Sequence, residues 1–284
     1  MNSTITVFER RFSAVLLAAD GIVLAALALL GPLFMGRLQY ATSLSGEFQL
    51  MGQDAANLFV FFPLFIVGGL LLWLGKKAGD YILALGPIFL LYYGLSVGIG
   101  IEWSRPEYSG NSEQAFGLFL TLIISGVLFI PVVMGLFSRR TMKRFSRRTR
   151  IVYVSAFLLF IMLFAGMWIS EVRSVLTSGT SRGYDEAPTV FWVIRYLDLG
   201  ISIPLALLSI YMLLTRPSGS VGIQLLLYGF FITMIVSVNA MGLVMALKSD
   251  ADFLFSQQLV FVVLALIIFI GYGLILRNIR GQKE

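Results

Sequence analysis

The chain has 284 residues, of which 58% are hydrophobic and 13% are charged, and it carries a formal net charge of +6. Its mean hydropathy is +0.89 and its apolar fraction exceeds the roughly 45 to 50% of a soluble domain, so the composition excludes a soluble globular protein. Histidine and cysteine are absent, which excludes disulfides, imidazole or thiolate metal sites and histidine-dependent catalysis, and we expect neither a metal nor a cofactor.

Eight apolar segments follow one another along the chain. Each is about 20 residues or longer, the length that a helix needs to cross about 30 Å of hydrocarbon. The connections are too short for a separate soluble domain. We predict an all-α, polytopic membrane helix bundle with eight transmembrane helices, forming one integral membrane domain over residues 1–284. The predicted segments are Ser13–Met35, Ala55–Leu74, Asp80–Ile101, Ala115–Phe137, Ile151–Ser170, Pro188–Leu214, Val221–Leu247 and Leu254–Leu276.

Lysine and arginine are distributed unevenly between alternate loops. Of the 21 basic residues, 15 lie at the two termini and in the second, fourth and sixth loops, five lie in the other loops, and Arg195 lies inside a segment. Because cytoplasmic loops are enriched in basic residues, we predict a multi-pass plasma-membrane protein with both termini in the cytoplasm. The first apolar run is longer than the ~7 to 15 residues of a signal-peptide core, so we expect it to be retained as a helix.

The fourth loop, from Arg139 to Arg150, carries seven basic residues. A short hairpin of this charge between two membrane segments is typical of a topological anchor that contacts anionic headgroups. We therefore expect membrane lipids as partners and no nucleic acid. The sequence leaves open whether the chain also forms a homo-oligomer or binds a membrane partner subunit.

Two polar stripes lie inside apolar segments, one in each half of the chain. In each stripe two polar residues are spaced three apart, which places them on one helix face, and a proline follows six residues later. Ionisable side chains at membrane depth cost at least a few kcal/mol each, so they are kept where they are paired or used. The stripes are Asp54-x-x-Asn57-x5-Pro63 and Arg195-x-x-Asp198-x5-Pro204.

The predicted orientation puts both stripes in the outer half of the membrane. We expect Arg195 to pair with Asp198, and Asp54 to share Arg195 where the two helices meet. Three interpretations stay open: a structural clamp, an outward-facing pocket for a small polar or cationic ligand, and a site for proton or ion coupling. The candidate cluster, for ligand binding or for structure, consists of Asp54, Asn57, Arg195, Asp198, Gln53, Glu102, Ser202 and Asn239.

The shift of the sequence that places Asp54 on Arg195 aligns more than the two stripes. With this shift the third and fourth predicted segments fall on the seventh and eighth, and the first falls on the fifth within a few residues. The chain therefore reads as two tandem halves, 1–140 and 141–284. Because each half has an even number of helices, the halves would form a parallel pseudo-repeat about an axis along the membrane normal, with ligand sites between them.

One resemblance involves Arg195-Tyr196-x-Asp198 followed by Ser202 and Pro204, which is similar to the third helix of microbial rhodopsins. Retinal proteins need a lysine within their last helix for the Schiff base. No lysine of this chain lies well inside a predicted segment. The resemblance therefore implies a way of building a polar helix face and no photochemistry.

A second resemblance covers most of the chain and points to a widespread prokaryotic family of multi-pass membrane proteins without an assigned function. It implies the fold and the membrane location, and it brings no reaction. Arg195 departs from the pattern, since this family has a less charged residue there. The resemblance is carried by Gly52-Gln53-Asp54, Asn57-Leu58, Pro63-Leu64, Tyr92-Tyr93, Leu197-Asp198-Leu199, Pro204 and Arg216-Pro217.

Three classes of function fit these residues. Small-solute transport or binding would use the outer pocket, and transport would also need a path through the inner half. A membrane sensor or accessory subunit would need only the outer pocket and the basic loop. An intramembrane lipid-modifying enzyme would need converging carboxylates, which Asp54, Asp198 and Glu102 would supply. We expect transport or sensing rather than catalysis.

Overall fold

The computed structural model describes residues 5–40, 42–100, 110–143, 145–217 and 219–281. Within these residues eight helices are long and apolar enough to cross a membrane, which confirms the predicted number. They are α1 (Val7–Leu30), α2 (Leu44–Trp73), α3 (Lys77–Gly100), α4 (Ser112–Phe137), α5 (Arg147–Ser178), α6 (Pro188–Thr215), α7 (Val221–Leu247) and α8 (Phe255–Asn278).

Three helices, α1, α2 and α5, begin earlier than their apolar segments because polar residues cap them. At the start of α1, Thr6 and Glu9 form a capping box in which each side chain accepts a hydrogen bond from the other residue's backbone N–H. At the start of α2, the Ser43 hydroxyl accepts the Gly46 N–H at 3.1 Å. Since α2 begins at Leu44 and not near Ala55, Asp54 lies about 15 Å along the helix from its start.

Three spans are not continuous α-helices. In α2, an α-helix (Leu44–Ala56) continues through a π-helix (Asn57–Phe61) into a second α-helix (Phe62–Trp73). In α6, the same sequence of elements is Pro188–Leu197, Asp198–Ser202 and Ile203–Thr215. In α3, helices Lys77–Leu83 and Gly86–Leu95 are followed by a π-helix, Ser96–Gly100. Elsewhere, α4 begins with the 3₁₀ turn Ser112–Ala115 and continues as Phe116–Phe137, and one short helix, Arg182–Glu186, lies between α5 and α6.

The centre of the bundle is α7, which packs on α2, α3, α4, α6 and α8. In the first half, α1 packs on α2 and α4, and α3 packs on α4. The C-terminal end of α3, Ser96–Gly100, also packs on the N-terminal part of α6, Pro188–Leu197. Few side chains of α5 and α8 are buried, and many of the exposed ones are apolar. These two helices therefore form the outer surface of the second half, while the first half is more completely packed.

A short two-stranded ladder supplements the helices. β1 (Arg140–Met142) follows α4, β2 (Ile279–Gly281) follows α8, and they pair antiparallel with Arg140 opposite Gly281 and Met142 opposite Ile279. The ladder therefore ties the basic loop between the two halves to the segment that follows the last helix.

Gly229 brings α7 against α3. A Cβ at this position would overlap the carbonyl oxygen of Ala84 and approach the Leu85 Cα to 2.9 Å. Because the obstructing atoms are backbone, we expect Gly229→Ala to lower the free energy of unfolding by about 1 to 3 kcal/mol. The matched control is Gly273→Ala on α8, where no atom lies within 4 Å of the added carbon. Thermal unfolding in detergent compares the two variants, and equal midpoints would contradict this close helix contact.

Candidate functional site

A π-helical break lies within each polar stripe, and the two breaks have the same hydrogen-bond pattern. In α2 the Phe62 N–H bonds to the Asn57 carbonyl, and in α6 the Ile203 N–H bonds to the Asp198 carbonyl, both five residues back. Pro63 and Pro204 come directly after these bonds and have no N–H to donate to an α-helical ladder. The wider turn avoids the clash that a proline ring makes with the carbonyl four residues before it. A π-helical break therefore accommodates the proline of each stripe.

The α2 stripe is buried against the segment that follows α1. Asp54 is 3% exposed, and its Oδ2 accepts the Leu33 N–H at 3.3 Å. Gly31 lies so close that a Cβ there would overlap the Asp54 carboxylate. Glycine is thus required where α1 ends, because it leaves the space that the carboxylate occupies.

Asn57 begins the α2 break, and its side chain is fully buried. The Gln53 Nε2 donates to the Asn57 Oδ1 at 2.8 Å, one helical turn away. The Asn57 Nδ2 is buried without a hydrogen-bond partner among the described residues, and Tyr93 of α3 lies beside it. We call Gln53, Asp54, Asn57 and Tyr93 the α2 cluster. It contains one carboxylate, two amides and a hydroxyl.

In α6, Arg195 forms an ion pair with Glu171 of α5. The Arg195 side chain is 9% exposed and that of Glu171 is 38% exposed, so the pair connects the interior to the outer surface. The guanidinium carbon lies 3.7 Å from the ring centre of Phe191 and 4.3 Å from that of Trp168. Two aromatic faces and one carboxylate therefore hold the cation.

The partner of Arg195 differs from the predicted one. Side chains of a helix lean toward its N-terminus, so the long Arg195 side chain extends outward over Phe191, where its Nη1 donates to the Phe191 carbonyl at 3.3 Å. Asp198 lies one turn further in. Glu171 of α5 is therefore the partner of Arg195 in place of Asp198.

Asp198 is 5% exposed and begins the α6 break. Its Oδ1 accepts the Ser202 hydroxyl at 3.2 Å. Tyr92 of α3 and Trp168 of α5 lie beside the carboxylate, although the Trp168 Nε1 has no partner at hydrogen-bond geometry among the described residues. We call Glu171, Arg195, Asp198, Ser202, Tyr92 and Trp168 the α6 cluster.

The two clusters lie on different sides of α3. Tyr92 lies beside Asp198, and the next residue, Tyr93, lies beside Asn57 and Asp54. No ion pair joins Asp54 to Arg195 in the described part of the chain. The predicted single Asp54–Arg195–Asp198 cluster is therefore replaced by two buried clusters that share one helix.

The other predicted site residues lie elsewhere. The Asn239 Oδ1 accepts the Gln258 Nε2 at 2.9 Å, a bond that joins α7 to α8 and includes no residue of either cluster. Glu102 lies outside the described residues. No group of three acidic side chains within the described ranges is arranged to hold a metal ion.

Sequence reasoning missed Glu171, Trp168, Tyr92 and Tyr93 as members of these clusters. Glu171 was recognisable as an acid at the outer end of its helix, at the depth that Arg195 reaches. The aromatic residues carried no such signal, because a tyrosine or tryptophan inside an apolar segment is ordinary.

The polar residues of the two stripes are buried, whereas Glu171 is partly exposed. Those that are at most 8% exposed are Gln53, Asp54, Asn57, Arg195, Asp198 and Ser202. Two cavities are found near the ends of the bundle: one is lined by Arg37 and Gln114, the other by Lys143 and Arg150. Neither cavity is lined by a cluster residue. Comparisons of the chain with known protein families, curated proteins and solved structures found no match.

Proposed function

We propose that the eight helices insert in a plasma membrane with both termini in the cytoplasm. The alternation of basic loops supports this orientation. The Arg139 to Arg150 loop then lies at the inner surface, where its charges contact anionic headgroups.

The chain is, in this proposal, a tandem of two four-helix halves. The two π-helices support it, since the shift that places Asp54 on Arg195 also places Asn57–Phe61 on Asp198–Ser202. So does the packing, because α2 contacts α7 while α6 contacts α3, and these pairs exchange when the halves exchange. The ladder agrees as well: the same shift places Arg140 on Gly281, and antiparallel pairing of these two is what a two-fold axis along the membrane normal produces.

The function that these features support best is transport of small polar solutes. The observation that carries it is the pair of π-helical breaks at equivalent positions of the two halves, each at a buried polar cluster. Interrupted membrane helices expose backbone groups that bind solute, and in transporters they occur at corresponding positions of the repeats. Asp54, Asn57 and Asp198 are buried in the described conformation, as in an occluded state between two openings.

The chemistry of the clusters favours a cationic or hydrogen-bond-donating solute. Together the two clusters contain three carboxyl groups and one basic group. The carboxyl groups are those of Asp54 in the α2 cluster and of Glu171 and Asp198 in the α6 cluster, and the basic group is that of Arg195. Aromatic faces around the α6 cluster would add cation–π attraction. Small amines and zwitterionic amino acids have this chemistry.

A sensor is the second candidate, and one observation favours it. Glu171 is partly exposed, whereas Arg195 and Asp198 of the same cluster are buried. A ligand that reaches Glu171 and shifts Arg195 would act without crossing the membrane.

The binding step can be tested by thermal unfolding of the purified protein in detergent with a panel of diamines, choline, amino acids and neutral sugars. We expect cationic members to raise the midpoint, since a ligand at a hundred times its Kd stabilises by about 2.7 kcal/mol. Asp198→Asn should abolish the rise, whereas the control Asn239→Leu, which removes a hydrogen bond to Gln258 and none to a cluster residue, should keep it. A rise for sugars alone, or one that survives Asp198→Asn, would contradict the proposed site.

A further inference from the structure

Asp20 is a buried acid that neither cluster uses. It is the fourteenth residue of the 24 in α1, close to the middle of the helix, and it is 0% exposed. Neither carboxyl oxygen has a hydrogen-bond partner among the described residues. Ser125, near the middle of α4, lies beside it, is also 0% exposed, and has a hydroxyl without a partner in the same part of the chain. Two polar groups without partners therefore meet at mid-depth, where α1 packs on α4.

The charged groups of the neighbouring helices are too distant to neutralise Asp20. On α1 itself, the nearest are Glu9, Arg10 and Arg11, about 13 Å or more along the helix. On α3, Asp80 is paired with Arg10 at 2.8 Å at the inner end. On α2, Asp54 lies near Gly31, beyond the outer end of α1. The α4 residues Phe116–Phe137 include no titratable side chain.

An ionised carboxylate without a cation is costly at this depth, and one serine hydroxyl does not offset its loss of hydration. The site is therefore expected to bind a proton or a metal cation. The space around Asp20 and the number of oxygen ligands there distinguish between the two. Next to Ser125, a Cβ on Gly126 would come within 2.6 Å of the Pro87 carbonyl oxygen, so the helices around the site are in close contact. Two side chains also provide far fewer oxygen ligands than the six to eight that a bound divalent ion takes.

We propose that Asp20 and Ser125 form a proton-binding site. The Asp20 carboxylate takes a proton from water, and the resulting carboxyl group donates a hydrogen bond to the Ser125 Oγ. Release returns the proton to water and restores the carboxylate. The two side chains that lack partners are joined by this one bond, without a metal ion.

The site adjoins the α2 break. A Cβ on Gly21, the residue after Asp20, would lie 3.2 Å from the carbonyl oxygen of Phe62, where α2 resumes its α-helix. Loss of the proton would put a charge next to this junction and favour a rearrangement that admits water. The proton is then the coupling ion of transport, a link that rests on the proposed function.

Infrared spectroscopy of the purified, solute-free protein tests the site independently of transport. The carboxylic-acid C=O band is separate from the carboxylate bands, and we expect one component to be lost in Asp20→Asn, a neutral variant of nearly the same shape. Ser125→Ala should keep that component but shift it to higher frequency, because the hydrogen bond is gone. Asp54→Asn is the control that should leave it unchanged.

The component should disappear reversibly as the pH is raised, while circular dichroism shows that the helices remain. A component that persists over the whole pH range in which the protein stays folded would overturn the proposal, since Asp20 would then be permanently protonated. So would its loss when sodium chloride is added at constant pH, which would indicate a metal cation. A wild-type spectrum without the component would also overturn it. If Asp20→Asn does not fold, the Ser125→Ala variant still tests the site. A component that does not shift to higher frequency in Ser125→Ala would show that no hydrogen bond joins Asp20 to Ser125 and would overturn the proposal.

Discussion

Replacing Arg195 with leucine is expected to lower the free energy of unfolding by about 1 to 3 kcal/mol, less than the cost of breaking a fully buried ion pair, because Glu171 is 38% exposed and can be hydrated when its partner is gone. The change deletes the ion pair to Glu171 and the two cation–π contacts with Phe191 and Trp168. It also removes the positive charge that acts on Asp198, which is 5% exposed. Reversible unfolding in detergent micelles measures the effect.

Two variants separate the contributions to this loss. Glu171→Gln should cost less than Arg195→Leu, because Glu171 is 38% exposed and the guanidinium keeps both aromatic faces. Arg173→Leu removes a charge from an exposed position of the same helix, α5, and should leave stability nearly unchanged. An Arg195→Leu protein as stable as Arg173→Leu would contradict the ion pair and the buried position of Arg195.

Replacing Pro204 with alanine is expected to reduce solute flux at least tenfold, about 1.4 kcal/mol in barrier height, without lowering stability. Alanine restores an N–H that can donate to the Gly200 carbonyl, so α6 can close its break into an α-helix. A π-helical turn holds one residue more than an α-helical turn. Closing the break would therefore rotate the part of α6 that carries Asp198 by about 100° relative to the part that follows Pro204. Asp198 and Ser202 would then no longer face Tyr92 as they do now.

The matched control for this substitution is Pro131→Ala. Pro131 lies inside the α4 helix Phe116–Phe137, which continues through it without a π-helix. Flux in reconstituted vesicles should therefore survive this change. Pro63→Ala in α2 should resemble Pro204→Ala. Equal flux for Pro204→Ala and wild type would contradict a role for the breaks.

The sequence predicted the number and order of the helices because hydrocarbon thickness sets their length. It placed the start of α2 too late, since Leu44–Gln53 is too polar to register as part of an apolar segment even though Ser43 caps it. It marked Pro63 and Pro204 as the prolines that follow the two polar stripes. It could not specify the π-helices, because kinks, bulges and water insertion are all ways to accommodate a proline.

The polar partners were harder to predict than the polar residues. Helical spacing put Arg195 and Asp198 on one face, but spacing within one helix does not report a third residue on a neighbouring helix. Glu171 becomes the partner of Arg195 because α5 lies beside α6 and both side chains reach the same depth. The separation of the clusters by Tyr92 and Tyr93 depends on the packing of α3, which no local pattern encodes.

The most direct test of the account is solute movement across a bilayer. Proteoliposomes on a solid-supported membrane would be exposed to a cationic solute that stabilises the protein in detergent. We expect a transport current for the wild type and for Pro131→Ala, and its loss for Asp198→Asn and Pro204→Ala. Binding without any transport current in the wild type, under both proton and solute gradients, would contradict transport and favour a sensor.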